Sequence, residues 1–427
     1  MSALRISVLG LLASAAPALA YATTSHTAFA ASPSRTPETP AVALEQVALE
    51  QDALEQDAPT QSVAVSGHEP PASKVDLRTA IRTGVQWLIK NQNPDGSFGT
   101  HLTKRPYEVL ASVPGSQDAF LVATTGLCVM ALQDVRDPSP EARRARERAL
   151  DFLLANAAVK RQSGMEHYNV WAFGYALRAL TQELANAPDG PRAASLREMS
   201  KKLVAKLVDY QTTDGGWGYL SLDEVPTFHP SDTSMSFTTA TILIGIQAAA
   251  ATGTDVPAGL KVKAVDHLKR SRLPDGAFLY GEYLKYRPRM DINERKGSAC
   301  RTPACLFALE ACGEVVPETE YREALEDLLV RHAALQRAGI REPIPHRSFY
   351  SISGYFYLYG HAYAAYVLAR LPKADQDRLG PLLEKAVLYC REPDGSFWDY
   401  PLYGYHDAYG TAYALIALAR IPGARGP

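Results

Sequence analysis

Histidines, aspartates, arginines and tyrosines in this 427-residue chain gather in short stretches, each ahead of an apolar run rich in small residues. These stretches supply Asp118, His167 with Asn169, His229 with Asp232, the basic segment Arg295 to Arg301, Tyr357 with His361, and His406 with Asp407. Imidazoles, carboxylates and phenols brought to one place move protons near neutral pH, so His361, His406, Asp232, Tyr357 and Asp407 are the candidates for acid–base chemistry. His406 and Asp407 point apart if they are neighbours on a helix, so a tyrosine from another segment is the better partner of either. Asp232 also reads as a helix N-cap, because a short polar side chain satisfies unbonded N–H groups at a helix start. Arg295, Lys296 and Arg301 form a positive patch suited to an anion, enlarged by Arg287 and Arg289, although a solvated basic loop has the same composition. His167, His229, Tyr363 and Tyr405 complete the set as ligand contacts.

Twelve of the 22 tyrosines lie between Tyr350 and Tyr413. A tyrosine-rich wall can stabilise a cation, stack on a sugar or cradle a polyprenyl chain. Packing between helices with the hydroxyls turned to water is the structural alternative.

The elements that must position these groups are read from one repeated turn. It occurs at Asp95-Gly96-Ser97-Phe98, Asp214-Gly215-Gly216-Trp217, Asp275-Gly276-Ala277-Phe278 and Asp394-Gly395-Ser396-Phe397, at intervals of 119, 61 and 119 residues. A period near 60 with two degenerate copies accounts for the spacing, and places unmarked turns near Asn156 and Leu335. Amphipathic runs precede the turns: Leu77 to Gln92, Met199 to Gln211, Leu260 to Arg272 and Leu382 to Arg391. Their apolar spacing of three to four predicts helices that Asp-Gly then stops, since Gly enters the left-handed region at little cost. The runs after the turns, such as Val170 to Leu180, Ser236 to Ala248 and Tyr409 to Ile421, are apolar nearly all round and predict buried inner helices. Six such hairpins repeated in one sense predict an all-α ring, an α/α toroid with an inner barrel of six helices inside an outer ring of six. A closed ring has a central cavity, and the stretches above fall at one mouth of it.

Arg5, the apolar Ile6 to Ala15 and the small-residue end Ala18-Leu19-Ala20 read as a signal peptide over residues 1–20, which predicts a secreted or periplasmic protein with no transmembrane span. Residues 21–73, rich in Pro, Ala and Glu, read as a disordered spacer. The ring then takes 74–427. A formal net charge of −2 argues against a nucleic-acid partner. Five cysteines are an odd number, and the close spacing of Cys300, Cys305 and Cys312 on helical geometry brings no two sulfurs to bonding distance.

The turns QNPDGSFG and QTTDGGWG, with the weaker copies RLPDGAFL and REPDGSFW, resemble the repeat shared by squalene and oxidosqualene cyclases and the β subunits of protein prenyltransferases. The resemblance runs over residues 75 to 425 and implies the α/α toroid. Polysaccharide lyases and glycosidases use related rings. In the cyclases a strongly acidic Asp-X-Asp-Asp-Thr protonates an alkene; the counterpart here, His229-Pro230-Ser231-Asp232-Thr233, keeps only the last Asp. In the prenyltransferases an Asp-X-Cys and a His one repeat later hold zinc. Ser298-Ala299-Cys300 and His361 match that spacing without the Asp, so the resemblance implies a zinc site with two of the usual three protein ligands. Arg295 and Lys296 stand near where the family binds diphosphate. Cys312-Gly313-Glu314-Val315 lacks the Gln of a thioester, and Gly313 reads as a helix C-cap. The function expected is binding or transforming an isoprenoid-like or other apolar small molecule in the cavity. A carbohydrate-active ring using Tyr, His and Arg, and a non-catalytic binding scaffold, are the alternatives.

Overall fold

A computed structural model describes residues 75–102, 114–160, 168–218, 234–338, 340–341 and 356–424. The expected signal peptide and spacer, and His167, His229 and Asp232, lie outside the described residues. Outer helices α1 (Leu77–Lys90), α3 (Pro140–Asn156), α5 (Ala193–Asp209), α7 (Ala258–Arg270) and α13 (Lys373–Leu388) alternate with inner helices α2 (Pro114–Val135), α4 (Asn169–Asn186), α6 (Ser236–Ala251), α9 (Thr302–Ala311), α12 (Tyr357–Leu368) and α14 (His406–Leu418). A single turn, α8 (Arg295–Ser298), leads into α9. The fifth outer element is α10 (Glu318–Glu326), a π-turn at Asp327–Arg331 and α11 (Ala333–Ala338). Two isolated bridges, Arg272 with Phe278 and Arg391 with Phe397, are the β pairing among the described residues.

The inner helices pack in the cycle α2, α4, α6, α9, α12, α14 and back to α2. That closure makes the hairpins a ring, the α/α toroid that the repeat predicted. Its seam is bonded: Trp87 Nε1 on α1 donates to Asp394 Oδ2 at 3.0 Å, and Arg391 reaches Thr83 Oγ1 at 3.2 Å. The apolar stretch Ser116–Val135 of α2 is long and apolar enough to cross a membrane, but 78% of its hydrophobic window is buried inside the ring.

Each marked turn is built the same way. The Asp carboxylate accepts from the N–H two residues on, at Ser97, Gly216, Ala277 and Ser396. The Gly holds φ near +90° (91°, 92°, 91° and 95°), where a Cβ is strained. The N–H of the following aromatic then donates to a hydroxyl on the inner helix of its own unit, Phe98 to Thr125, Trp217 to Thr239 and Phe397 to Thr411, or, for Phe278, to Ser298 on the turn α8 leading into α9, at 2.9 to 3.0 Å. One small polar residue in each of these units therefore fixes the height of its hairpin. The unmarked turn expected near Asn156 falls at the end of α3, whereas Leu335 lies inside the helix α11, which runs on to Ala338.

Boundaries differ where a local rule yields to packing. The sixth outer helix starts at Lys373, well before Leu382, and carries Pro381 inside it. Leu379 and Gly380 before that proline are buried, and Leu383 and Val387 after it, so one apolar face persists through the break.

Candidate functional site

Because all six inner helices start at the same mouth, side chains spaced by three or four residues form layers down the ring. The first layer is aromatic and draws on every unit: Phe120, Tyr168 with Trp171, Phe237, Tyr280, Phe356, and Tyr405 with Tyr409. Phe120 lies 4.9 Å from Tyr168 and 5.8 Å from Tyr405 between ring centroids; Trp171 lies 5.8 Å from Phe237, which meets Phe356 at 4.4 Å and Tyr280 at 5.6 Å. Phe120, Tyr168, Trp171 and Tyr409 are only half-buried, so this collar opens to solvent.

One helical turn deeper the layer is phenolic. The Tyr175 and Tyr413 hydroxyls bond each other, and Thr241 Oγ1 meets the Tyr359 hydroxyl at 3.0 Å. Tyr359 also donates to the Phe237 carbonyl at 3.1 Å. Arg178, a further turn along α4, donates to the Tyr363 hydroxyl and approaches that of Tyr366 at 3.5 Å. Gly245 on α6 admits the arginine: a Cβ there would sit 3.2 Å from Arg178 Cγ. The tyrosine-rich wall is thus an ordered stack, with hydroxyls turned inward to one another rather than to water.

Outside the basic segment, the described sequence-derived candidates divide into four places. Tyr363 belongs to the phenolic layer. Tyr405 belongs to the collar, where its hydroxyl reaches the Gln117 carbonyl at 3.2 Å. His406 and Asp407 start α14, both buried, with Nε2 and Oδ1 3.5 Å apart and the His406 ring 5.2 Å from that of Trp398. Tyr357, His361 and Cys300 form a separate group in the wall. Tyr357 donates to the Ala386 carbonyl at 3.1 Å, His361 Nδ1 donates to the Tyr357 carbonyl at 2.7 Å, and the Cys300 thiol donates to Gln336 Oε1 at 3.2 Å. Burial lowers the His361 pKa to about 4 and raises that of the Cys300 thiol, so both are neutral near pH 7. Among the described residues this pair gathers no third Cys, His or carboxylate ligand.

The basic patch does not stand open. Arg295 bonds Asp327 at 2.7 Å and Glu323 at 2.9 Å, Lys296 meets Asp291 at 3.0 Å and Glu294 at 3.5 Å, and the wholly buried Arg301 donates to the carbonyls of Phe278, Gly297 and Ile292. Arg295, Lys296 and Arg301 thus each have acceptors from this chain, while Arg287 and Arg289 are exposed.

Asp214, His267 and Glu282 place ligand-type atoms within 4.8 Å of one another. His267 Nδ1 lies 3.1 Å from Glu282, whose carboxyl is pulled down to about 2 by hydrogen bonds from His267 and Arg270. Ser234 donates to Asp214 at 2.6 Å. The repeat explains the cluster: His267 follows Lys263, which packs on Gly215, as Trp87 follows Thr83, which packs on Gly395. At the seam Trp87 clasps the turn carboxylate of Asp394; in the third turn His267 stands at the same place beside Asp214.

Two functional candidates escaped the sequence reading. Asp399, fully buried, accepts from Leu358 N at 2.8 Å and from the Tyr409 hydroxyl at 3.3 Å, and burial raises its pKa to about 6. Nothing in the sequence separates it from a solvated turn residue. Arg178 carried a signal, being the lone charge within the apolar run Val170 to Leu180.

Comparison with known proteins fits this ring. No curated protein matches the chain. Among solved structures, an α-1,6-mannanase of Salegentibacter sp. HEL1_6, complexed with α-1,6-mannotetrose, superposes with a TM-score of 0.53 at 10% identity, covering 81% of this chain and 99% of that one. A possible member of the GH105 family from Salmonella enterica gives 0.50 at 13% identity, covering 82% and 95%. A type II terpene cyclase from Scytonema, in complex with geranylgeranyl dihydroxybenzoate, gives 0.48 at 14% identity, covering 81% and 97%. At 10 and 13% identity, the likeness to the mannanase and to the GH105 protein is one of fold. The family described as squalene-hopene cyclase C-terminal domain matches residues 57–284, more than half of the chain. The chain therefore belongs to the squalene-hopene cyclase C-terminal domain family.

Proposed function

We propose that the ring binds an isoprenoid-like, largely apolar small molecule inside its mouth. The supporting observation is the collar, in which all six units contribute aromatic faces to one half-open surface while the hydroxyls below are engaged with each other. Branched hydrocarbon chains gain from burial against such faces, at about 25 cal/mol per Å² removed from water. Protonation-driven cyclisation has less support. Ser231 stands where the cyclases place their proton donor, and Asp399, with a carboxyl raised to about 6, is a weaker acid than an ordinary carboxylic acid. The reading includes export through residues 1–20, which predicts that the protein recovered from its own host has the mass of a chain lacking them.

Binding is tested by tryptophan fluorescence during titration with a C20 prenyl alcohol, with Trp171→Phe to identify the reporter. Saturable quenching in the micromolar range is expected, weakened roughly tenfold by Phe237→Ala. Binding of oligosaccharide with none of the prenyl alcohol would overturn the reading in favour of a carbohydrate-active ring. Failure of both probes would favour the scaffold alternative.

A further inference from the structure

Arg178 is a buried cation without a counter-charge. It is 8% exposed, its hydrogen bonds go to the Tyr363 and Tyr366 hydroxyls, and among the described residues no ion pair within 4.0 Å reaches it. The nearby carboxylate, Asp134, is already held by Arg420 at 2.6 Å and by Gln182 at 2.9 Å. Arg420 in turn donates to the Tyr366 hydroxyl at 2.9 Å. Asp134 thus pairs with Arg420, and Arg178 is left to tyrosine hydroxyls. Removing an ion from water costs several kcal/mol unless a charge or a full set of hydrogen bonds replaces the solvent.

Protons are also in surplus. Among the described residues Tyr363 accepts from Arg178 and its own O–H finds no acceptor. The guanidinium bridges two levels of α12, bonding Tyr363 on the collar side and approaching Tyr366, about one turn deeper, at 3.5 Å. Along α4 only seven residues separate Trp171 from Arg178, a rise of about 10 Å.

We infer that the ligand is an anionic amphiphile, whose carboxylate or phosphate head takes the Arg178 guanidinium and the Tyr363 hydroxyl proton while its hydrocarbon lies in the collar. This rests on the apolar-ligand reading above and narrows its class. A surplus of donors around an unpaired cation selects an oxyanion over a neutral hydroxyl.

The test compares three C15 prenyl probes, the alcohol, the matching carboxylic acid and the monophosphate, on the full chain by calorimetry. At least one anion is expected to bind at least ~10-fold tighter than the alcohol. The tighter of the two identifies the head. Arg178→Gln should erase that advantage and leave the alcohol's affinity unchanged. Tyr363→Phe, which keeps the ring packed, should reduce only the anion's affinity, by a few fold, and so preserves the test if the arginine variant does not fold. An alcohol that binds as tightly as both anions overturns the anionic head and leaves the apolar reading standing. If no prenyl probe binds, both fall.

Discussion

His361 and Asp399 show how burial sets the behaviour of single residues. His361 is held near 4, below its ordinary 6.5, because desolvation disfavours the imidazolium; Asp399 is raised from 3.8 to about 6, because the same effect disfavours the carboxylate. The unfolded chain binds the extra histidine proton as pH falls from 6.5 to 4, so His361 removes stability in that direction. The folded chain keeps the Asp399 proton up to about pH 6, so Asp399 removes stability as pH rises from 4 to 6. Each swing amounts to about 3 kcal/mol, and the two oppose. Urea midpoints of the wild type should therefore be nearly flat over this window. His361→Gln should make stability fall as pH rises, and Asp399→Asn should make it fall as pH drops; parallel profiles in all three proteins would contradict these assignments. His361 was visible in the sequence as a titratable group in an apolar run. That its proton lies on Nδ1, facing a carbonyl, was not, since this depends on a helix whose register only the fold supplies.

At the scale of the element, three of the four marked turns are pressed by the next outer helix. A Cβ on Gly96 would come within 2.4 Å of Arg148 O, on Gly215 within 2.6 Å of Lys263 O, and on Gly395 within 2.9 Å of Thr83 O. Gly276 meets nothing within 4 Å, because beside it the fifth outer element breaks into α10, a π-turn and α11, leaving a notch of about 190 Å³ lined by Arg272, Arg295, Glu320 and Asp327. Gly276→Ala should therefore cost only the left-handed strain, about 1 to 2 kcal/mol. Gly96→Ala should cost that and the displacement of a helix, at least ~3 kcal/mol in chemical denaturation. Equal costs would mean that the turns are not wedged against their neighbours. The turns themselves were legible because Asp-Gly followed by an aromatic has one local solution. The weak fifth contact was not, as it arises from a helix a whole unit away.

The whole molecule depends on the seam, where the last unit meets the first. Trp87 is 8% exposed and closes it on Asp394, so Trp87→Ala combines lost packing with an unpaired turn carboxylate. A loss of about 3 to 5 kcal/mol is expected. Hydrogen exchange should then speed up first in α1, α13 and α14 rather than in α4 and α6. Uniform acceleration would indicate an arc without a stabilising closure. Closure also gathers the collar, since Phe120 and Tyr405 come from opposite ends of the sequence and meet only across the seam.

The sequence by itself determined the helical hairpin, the period near 60 residues and the number of units, because a turn's chemistry and a helix's apolar face are local properties written in neighbouring residues. It also marked which runs face inward. The tertiary structure alone decided that Arg295, Lys296 and Arg301 are locally paired, that His267 clasps a turn, and that Arg178, among the described residues, stands without a counter-charge among tyrosines from two other helices. Charge pairing depends on distance in space: Arg295 meets carboxylates 28 and 32 residues further on, while Arg178 and Arg420 reach tyrosine hydroxyls 185 and 54 residues away.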